Sequence, residues 1–273
     1  MMQVALVQSK ATADREDNLR RGLEAARSAA AQGAELIVFA ELAFEPFYPL
    51  RPAQGDVSSL AETIPGPTTK AFSELARELK VVVIPNLFEK DRGKTYDTSP
   101  VIDADGTILG RTRMVHVPDY PLFHEQDYYT PGDLRAPVYD TAVGRIGVAI
   151  CYDRHYPEYM RALALAGAQL VVVPQAGAAG EWPDGLFEEE MRVSAFQNGY
   201  FTALTNRVGV EGELRFAGES FICDPFGRVL ARGAAGAEDV LVADIDFELI
   251  DQSPAKKNFF PDRRPELYGE WFS

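Results

Sequence analysis

Two residues in this sequence are of the right type, and in the right place, to do covalent chemistry together. Cys151 follows the apolar run 146–150 and precedes a helix start near Pro157, which puts it at a strand-to-helix junction. A thiol there is exposed by the turn, and nearby helix N-terminal amides favour its thiolate. The position equally suits an inert buried cysteine, because free cysteines are mostly buried. Cys223, inside "SFICDP", alternates with apolar neighbours and reads as core. A cysteine that attacks a carbonyl or nitrile carbon needs a base. Glu41 is the first acid after "LIVFA", at the C-terminal end of a buried strand, the edge where open α/β sheets bind ligands. A half-buried carboxylate holds its proton more tightly and could accept one from a thiol. Taken alone, Glu41 is just as readily an exposed strand-end acid.

Other chemistries find less support. The three histidines, His116, His124 and His155, lack the paired short spacings of a zinc site, so no metal is expected. No G-x-G-x-x-G follows the first strand, where "VQSKATADRED" stands, and there is no P-loop or G-x-S-x-G. No cofactor is therefore expected. The net charge of −14, from 41 acids against 27 bases, argues against nucleic acid or an anionic membrane surface as a partner. No segment approaches the roughly 20 apolar residues of a membrane span. The N-terminus "MMQVALVQSK" reads as a first strand, and two free cysteines suit a reduced cytoplasm.

The elements that must position these residues alternate. Residues 4–7 form an apolar strand, followed by a helix over 14–31 with an acidic first turn, ended by Gly33. Strands follow at 35–42 and 81–90, separated by a helix over 68–80. "DADG" at 103–106 marks a hairpin, since Asp-Gly between apolar runs favours the tight turn. Residues 111–119 read as a short strand. Further strands fall at 145–153, 169–174 and 200–206, with helices beginning near 157 and covering 184–198. The remainder is hairpin-like, with Pro-Phe-Gly at a turn. The pattern predicts one layered α/β domain over 1–273 with mixed sheets.

In register along nearly the whole chain stand "FAEL" (39–42), "GRTRMVHVPD" (110–119), "HEQDYYTPGD" (124–133) and "GRIGVAICYDRHYPE" (144–158). They are followed by "VVVPQAG" (171–177), "NGYFTALTNRVG" (198–209), "GESFICDPFGRVL" (218–230) and "DRRPELY" (262–268). Together these segments resemble the carbon–nitrogen hydrolase (nitrilase) superfamily, closest to its N-carbamoyl amino acid, carbamoylputrescine amidase-like and aliphatic amidase-like members. The resemblance implies a four-layer αββα sandwich of two mixed sheets flanked by helices. It also implies a homodimer or higher homo-oligomer, with the tail 254–273 packing at the interface. The implied chemistry is thiol-dependent hydrolysis of a small amide or N-carbamoyl compound. Cys151 would be the nucleophile, Glu41 the general base, Glu125 a supporting acid and the Tyr152 backbone N–H an oxyanion donor. Candidate substrate contacts by motif position are Tyr48, His116, Arg154, Gln175, Glu181 and Asn206.

One position departs. The family pattern G-x-x-R-K-x-H is met by Gly110, Arg113 and His116, but its lysine is Met114. The family's lysine lowers the thiol pKa and donates to the developing oxyanion; a thioether has no donor and no charge. Losing one oxyanion donor costs about 10²–10³ in rate. Strand alternation turns Arg113 to the face opposite position 114. Arg154 is another cation, and by resemblance to "DR"-bearing carbamoyl-amino-acid hydrolases it would bind a substrate carboxylate. Three outcomes stay open: a C–N hydrolase with altered rate or substrate, another thiol reaction such as acyl transfer, or a catalytically weak ligand- or partner-binding relative. Glu41, Glu125 and Cys151, all retained, favour the first.

Overall fold

The structure, a computed structural model, describes residues 1–271; the last two residues of the tail 254–273 lie outside them. The chain begins β1 (Met2–Gln8), α1 (Arg15–Ala31), β2 (Leu36–Phe39), α2 (Pro67–Leu79), β3 (Val82–Ile84), β4 (Leu87–Asp91), β5 (Lys94–Ile102) and β6 (Ile108–Arg113). A long connection leads to β7 (Val138–Thr141), β8 (Gly144–Val148), α3 (Pro157–Leu165), β9 (Leu170–Gln175), α4 (Leu186–Asn198) and β10 (Phe201–Asn206). It ends with β11 (Val208–Glu211), β12 (Leu214–Ala217), β13 (Phe221–Cys223), β14 (Val229–Arg232), β15 (Asp239–Ile245), α5 (Glu248–Gln252) and α6 (Pro265–Trp271).

The strands form two large mixed sheets and a small β11–β12 ribbon. The first sheet runs β15-β1-β2-β3-β5-β4, with β6 also paired to β5; the second runs β14-β13-β10-β9-β8-β7. Strand alternation assigns the layers. Val4, Leu6, Leu36 and Val38 face Ile146, Val148, Val172 and Ala203 in the core between the sheets. Their neighbours Ala5, Val7, Ile37 and Phe39 face outward and pack with buried residues of α1 and α2. Val171, Val173 and Leu204 do the same toward α3 and α4. With both faces covered, these strands read as unbroken apolar runs. The architecture is the four-layer αββα sandwich.

Several boundaries differ from the sequence expectation, each for a local reason. The run 81–90 splits into β3 and β4 at Pro85, which has no N–H for a ladder. β2 stops at Phe39, so Glu41 lies in the turn beyond it rather than on the strand. The strand expected at 111–119 ends at Arg113, because the Val115 and His116 N–H groups donate to the Asp153 carboxylate at 3.1 and 2.9 Å. β8 ends at Val148, and a single turn of 3₁₀ helix, Cys151–His155, precedes α3. Within the chain the tail packs on α3 and α4: the Phe259 ring meets Phe196 at 5.3 Å, and Arg161 lies 5.0 Å over Phe260. No helix among the described residues is long and apolar enough to cross a membrane.

Candidate active site

The site forms where the two sheets end together. β2 is flanked by parallel strands β1 and β3, and β8 runs parallel to β9. Glu41 follows the C-terminal end of β2 and Cys151 that of β8, close enough for each to act on the other's protonation. Both turns are tight. Cys151 itself has φ +43° and Leu42 has φ +46°, left-handed conformations that are costly for residues with a β-carbon. Each is pinned. Arg154 donates Nη1 to the Cys151 carbonyl at 2.8 Å, and the Asp153 N–H bonds the Ile150 carbonyl at 2.9 Å. On the other side, the Leu42 N–H donates to Asn86 Oδ1 at 2.7 Å. The fully buried Arg207 donates to the carbonyls of Glu41, Leu42 and Glu45 and pairs with Glu211.

The electrostatics are those of an acid-rich pocket shut off from water. Glu41 is completely buried, and that burial, reinforced by Glu125, pushes its pKa up to about 8. The nearby Asp97 and Cys151 side chains, and the charge of Arg207, act in the opposite direction. Glu125 is raised well above the usual carboxylate range by burial and then by Asp97, Glu181 and Asp153. Burial, followed by the nearby Glu41, holds the Cys151 thiol in its neutral form, with Arg154 as the opposing cation. Among the described residues, no N–H or hydroxyl donates to either oxygen of Glu41 or of Glu125.

Met114 lies just past β6, 1% exposed, in the same inter-sheet cluster as Ile150 and Cys151. Gly132 allows the next segment to close over it: its N–H bonds the Met114 carbonyl at 2.7 Å, and a β-carbon there would come 2.5 Å from the Arg113 carbonyl oxygen. Arg113 points the other way, as alternation requires, donating to Glu89 at 2.8 and 2.9 Å. All seven lysines are among the described residues. Six are exposed, and the half-buried Lys90 reaches the Ser58 carbonyl. None takes the place that Met114 leaves.

The remaining sequence candidates divide by what already holds them. The Tyr152 N–H meets no acceptor among the described residues. Gln175, at the end of β9, is fully buried with both amide atoms unpartnered among the described residues. Glu181 accepts from Tyr120 Oη at 2.7 Å and from the Ala178 N–H at 2.9 Å, and its charge is felt at Cys151. Arg154 is buried behind the nucleophile, its guanidinium 4.9 Å over Phe187 and 3.4 Å from Glu190. His116 stacks on Tyr156 at 3.5 Å and bonds Asp153 through Nδ1 at 2.8 Å. The Asn206 amide is spent on the backbone of Gly177 and Gly218. Tyr48 packs on Phe88, and the Glu45 charge acts on its hydroxyl. Three residues of the site were not foreseen: Asp97, Asn86 and Arg207. Arg207 lies inside the quoted "TNRVG", where only Asn206 had drawn attention.

The carbon-nitrogen hydrolase family model matches residues 3–255. An N-carbamoylputrescine amidase of Solanum lycopersicum is 35% identical over 282 residues, covering 98% of this chain and 94% of that protein. A solved carbon-nitrogen hydrolase of Helicobacter pylori G27 superposes with TM-score 0.93 at 30% identity, covering 100% of this chain and 98% of that one. An amidase mutant from Nesterenkonia sp. AN1 superposes with TM-score 0.84 at 26% identity over 99% of this chain and 96% of that one. In that structure the acetamide moiety of fluoroacetamide is covalently added at the active-site cysteine.

Proposed function

The chain belongs to the carbon-nitrogen hydrolase family, enzymes of C–N bonds other than peptide bonds, and from that premise we propose that it hydrolyses a small amide or N-carbamoyl compound through an acyl-enzyme on Cys151, with Glu41 as general base. The observation that carries this is that a buried thiol and a buried carboxyl follow the C-terminal ends of two inner strands and act on each other's protonation. A thiol held neutral by burial needs a base in contact with it, and a carboxylate raised to about 8 can both take a proton and return it near neutral pH.

The steps follow from that pair. Glu41 takes the Sγ proton as sulfur bonds the carbonyl carbon, and the carbonyl oxygen gains negative charge. The oxyanion role falls to the Tyr152 N–H in this reading, since backbone donors fixed in a buried site stabilise developing charge without reorganising. The C–N bond then breaks as nitrogen takes the proton from Glu41, and ammonia or an amine leaves. Water gives a proton to Glu41 and attacks the thioester; the C–S bond breaks, and the thiol is restored by that proton. Glu125 sits beside Glu41 and raises its affinity for the proton in transit. Gln175 and Glu181 are the candidate substrate contacts whose position supports that role, while the partners of Tyr48, His116 and Asn206 favour bracing.

Two features of similar proteins support the reading: an amidase whose active-site cysteine carries the covalently added acetamide moiety of fluoroacetamide, and a relative named for an N-carbamoyl amine. A second reading, a ligand-binding relative with little turnover, rests on Met114. Ammonia release from a panel of small amides and N-carbamoyl amines decides between them. Release that disappears in Cys151→Ala supports the hydrolase, and no release from any member at saturating concentration sinks it.

A further inference from the structure

The two basic residues of the nucleophile turn already share one acid. Arg154 lies 3.4 Å from Glu190, and His155 meets the same carboxyl through Nδ1 at 2.6 Å. Glu181, on the connection between β9 and α4, is held by neutral donors alone. Its Oε1 accepts from Tyr120 Oη at 2.7 Å and its Oε2 from the Ala178 N–H at 2.9 Å. Among the described residues no lysine, arginine or histidine pairs with it. A carboxylate oxygen accepts two hydrogen bonds, so each oxygen of Glu181 has one place left. Glu41 and Glu125 are buried, whereas Glu181 is half-buried and open to a molecule arriving from solvent.

Aromatic rings stand beside this carboxylate. The Tyr120 ring lies 6.3 Å from Tyr152 and 6.3 Å from Trp182. His155 closes the circuit, 5.0 Å from Tyr152 and 5.3 Å from Trp182. All four are half-buried. They come from three separate segments: Tyr120 from the β6–β7 connection, Tyr152 and His155 from the nucleophile turn, and Trp182 from the β9–α4 connection. Tyr152 directly follows Cys151, so the circuit of rings begins at the nucleophile. Tyrosine and tryptophan rings cover methylene groups and attract cations to their faces within about 6 Å of the ring centre.

We propose that Glu181, with the rings of Tyr120, Tyr152 and Trp182, forms a subsite for an alkylammonium group, so that the substrate is an amide or N-carbamoyl compound with a positively charged amine at its far end. The proposal rests on the Cys151–Glu41 hydrolase assigned above and names the substrate class of that site. Glu181 accepts the ammonium N–H groups at its free lone pairs, and the rings cover the alkyl chain that joins the ammonium to the scissile carbonyl. A charge-assisted hydrogen bond is about twice as strong as a neutral one, so this end of the substrate fixes its orientation. An anionic end fits less well. It would meet the Glu181 charge, while the Arg154 side chain is 1% exposed and lies against Glu190. The bound ammonium also brings into an acid-rich site the positive charge that Met114 does not carry.

The test is calorimetric titration of the Cys151→Ala variant, which binds without turnover, so failure of the hydrolase assignment is seen separately as absent ammonia release by the wild type. Three probes of matched length are compared: the N-carbamoyl derivative of a short α,ω-diamine, the neutral N-alkylurea, and the N-carbamoyl ω-amino acid. The diamine derivative is expected to bind at least about tenfold more tightly than the alkylurea, the effect of one charge-assisted hydrogen bond, and the amino acid most weakly. Adding Glu181→Gln should bring the diamine derivative down to the alkylurea while leaving the alkylurea unchanged, a split that a purely structural side chain would not produce. Adding Trp182→Leu should narrow the preference for the cation by about 2–30-fold. No binding of the diamine derivative, equal binding of it and the alkylurea, or equal weakening of all three probes by Glu181→Gln overturns the proposal. If the Glu181→Gln protein does not fold, the three-probe ranking and the Trp182→Leu ratio decide in the same way.

Discussion

Met114 and Asp97 face each other across the end of the β5–β6 ladder, joined by the Met114 N–H to the Asp97 carbonyl at 3.0 Å. A buried thioether and a buried carboxyl thus lie on the same face of this ladder. Burial raises the pKa of Asp97 as it does those of Glu41 and Glu125.

Restoring the lysine should expose this. Met114→Lys places an ammonium beside Asp97 and near the thiol, which favours thiolate. Alkylation of Cys151 at pH 7 is expected to speed up by about tenfold or more, the effect of roughly one pKa unit on the thiol. An unchanged alkylation rate in a folded Met114→Lys variant would mean that position 114 does not act on the thiol.

The buried acids make stability fall with rising pH. Glu41 binds its proton up to about pH 8 in the folded chain against 4.5 for a free side chain, and Asp97 and Glu125 are shifted the same way. The folded state therefore holds protons that the unfolded state releases. The benefit is complete below about pH 4.5 and is lost as pH climbs through the folded values. Urea midpoints should drop between pH 5 and 8.5, and Glu41→Gln, which cannot release a proton, should flatten that drop. Parallel curves for the two proteins would contradict a protonated Glu41 in the folded chain.

Arg154 offers a separation of binding from chemistry. Its guanidinium lies behind the nucleophile, bonded to the Cys151 carbonyl and stacked over Phe187. Arg154→Lys is expected to lower kcat by roughly 10–100-fold, the value of a charge-assisted hydrogen bond, with little change in KM. A rise in KM alone, seen for acidic substrates only, would favour a substrate-carboxylate role instead.

Arg207 is expected to matter for the fold as much as for the site. With no exposed side-chain surface, it ties three carbonyls of the Glu41 turn to Glu211. Removing one partner from a buried charge pair costs about 3–5 kcal/mol, so Arg207→Ala should show a matching loss in equilibrium urea denaturation. A loss under about 1 kcal/mol would mean that these bonds are replaced by water.

Much of this was legible in sequence, and the exceptions have physical causes. Unbroken apolar runs, ended by Gly, Pro or an acid, marked the buried strands, and Asp14 marked the start of α1, where it accepts the Asp17 N–H at 3.0 Å. Glu41 and Cys151 were found because each follows such a run. Asp97 was not, because its importance lies in strand register. Counting back from the "DADG" turn fails at the β-bulge between Val101 and Ile102, which shifts the pairing by one residue. A one-residue shift moves every side chain to the other face, so sequence alone did not set Asp97 opposite Met114. Arg207 and Asn86 escaped for a related reason. Their value comes from backbone carbonyls and amides on distant loops, 166 residues away in the bond from Arg207 to Glu41, and no local pattern records such bonds.

The central claim is that Cys151 carries the acyl group and Glu41 moves its proton. It is tested most directly by intact-mass analysis of protein quenched during turnover of the best amide or N-carbamoyl substrate. A mass increase equal to the acyl or carbamoyl group, mapped to Cys151, absent in Cys151→Ala and formed about 10²–10⁴ times more slowly in Glu41→Gln, is the expected result. Ammonia release with no adduct on Cys151, or undiminished turnover in Cys151→Ala, would contradict it.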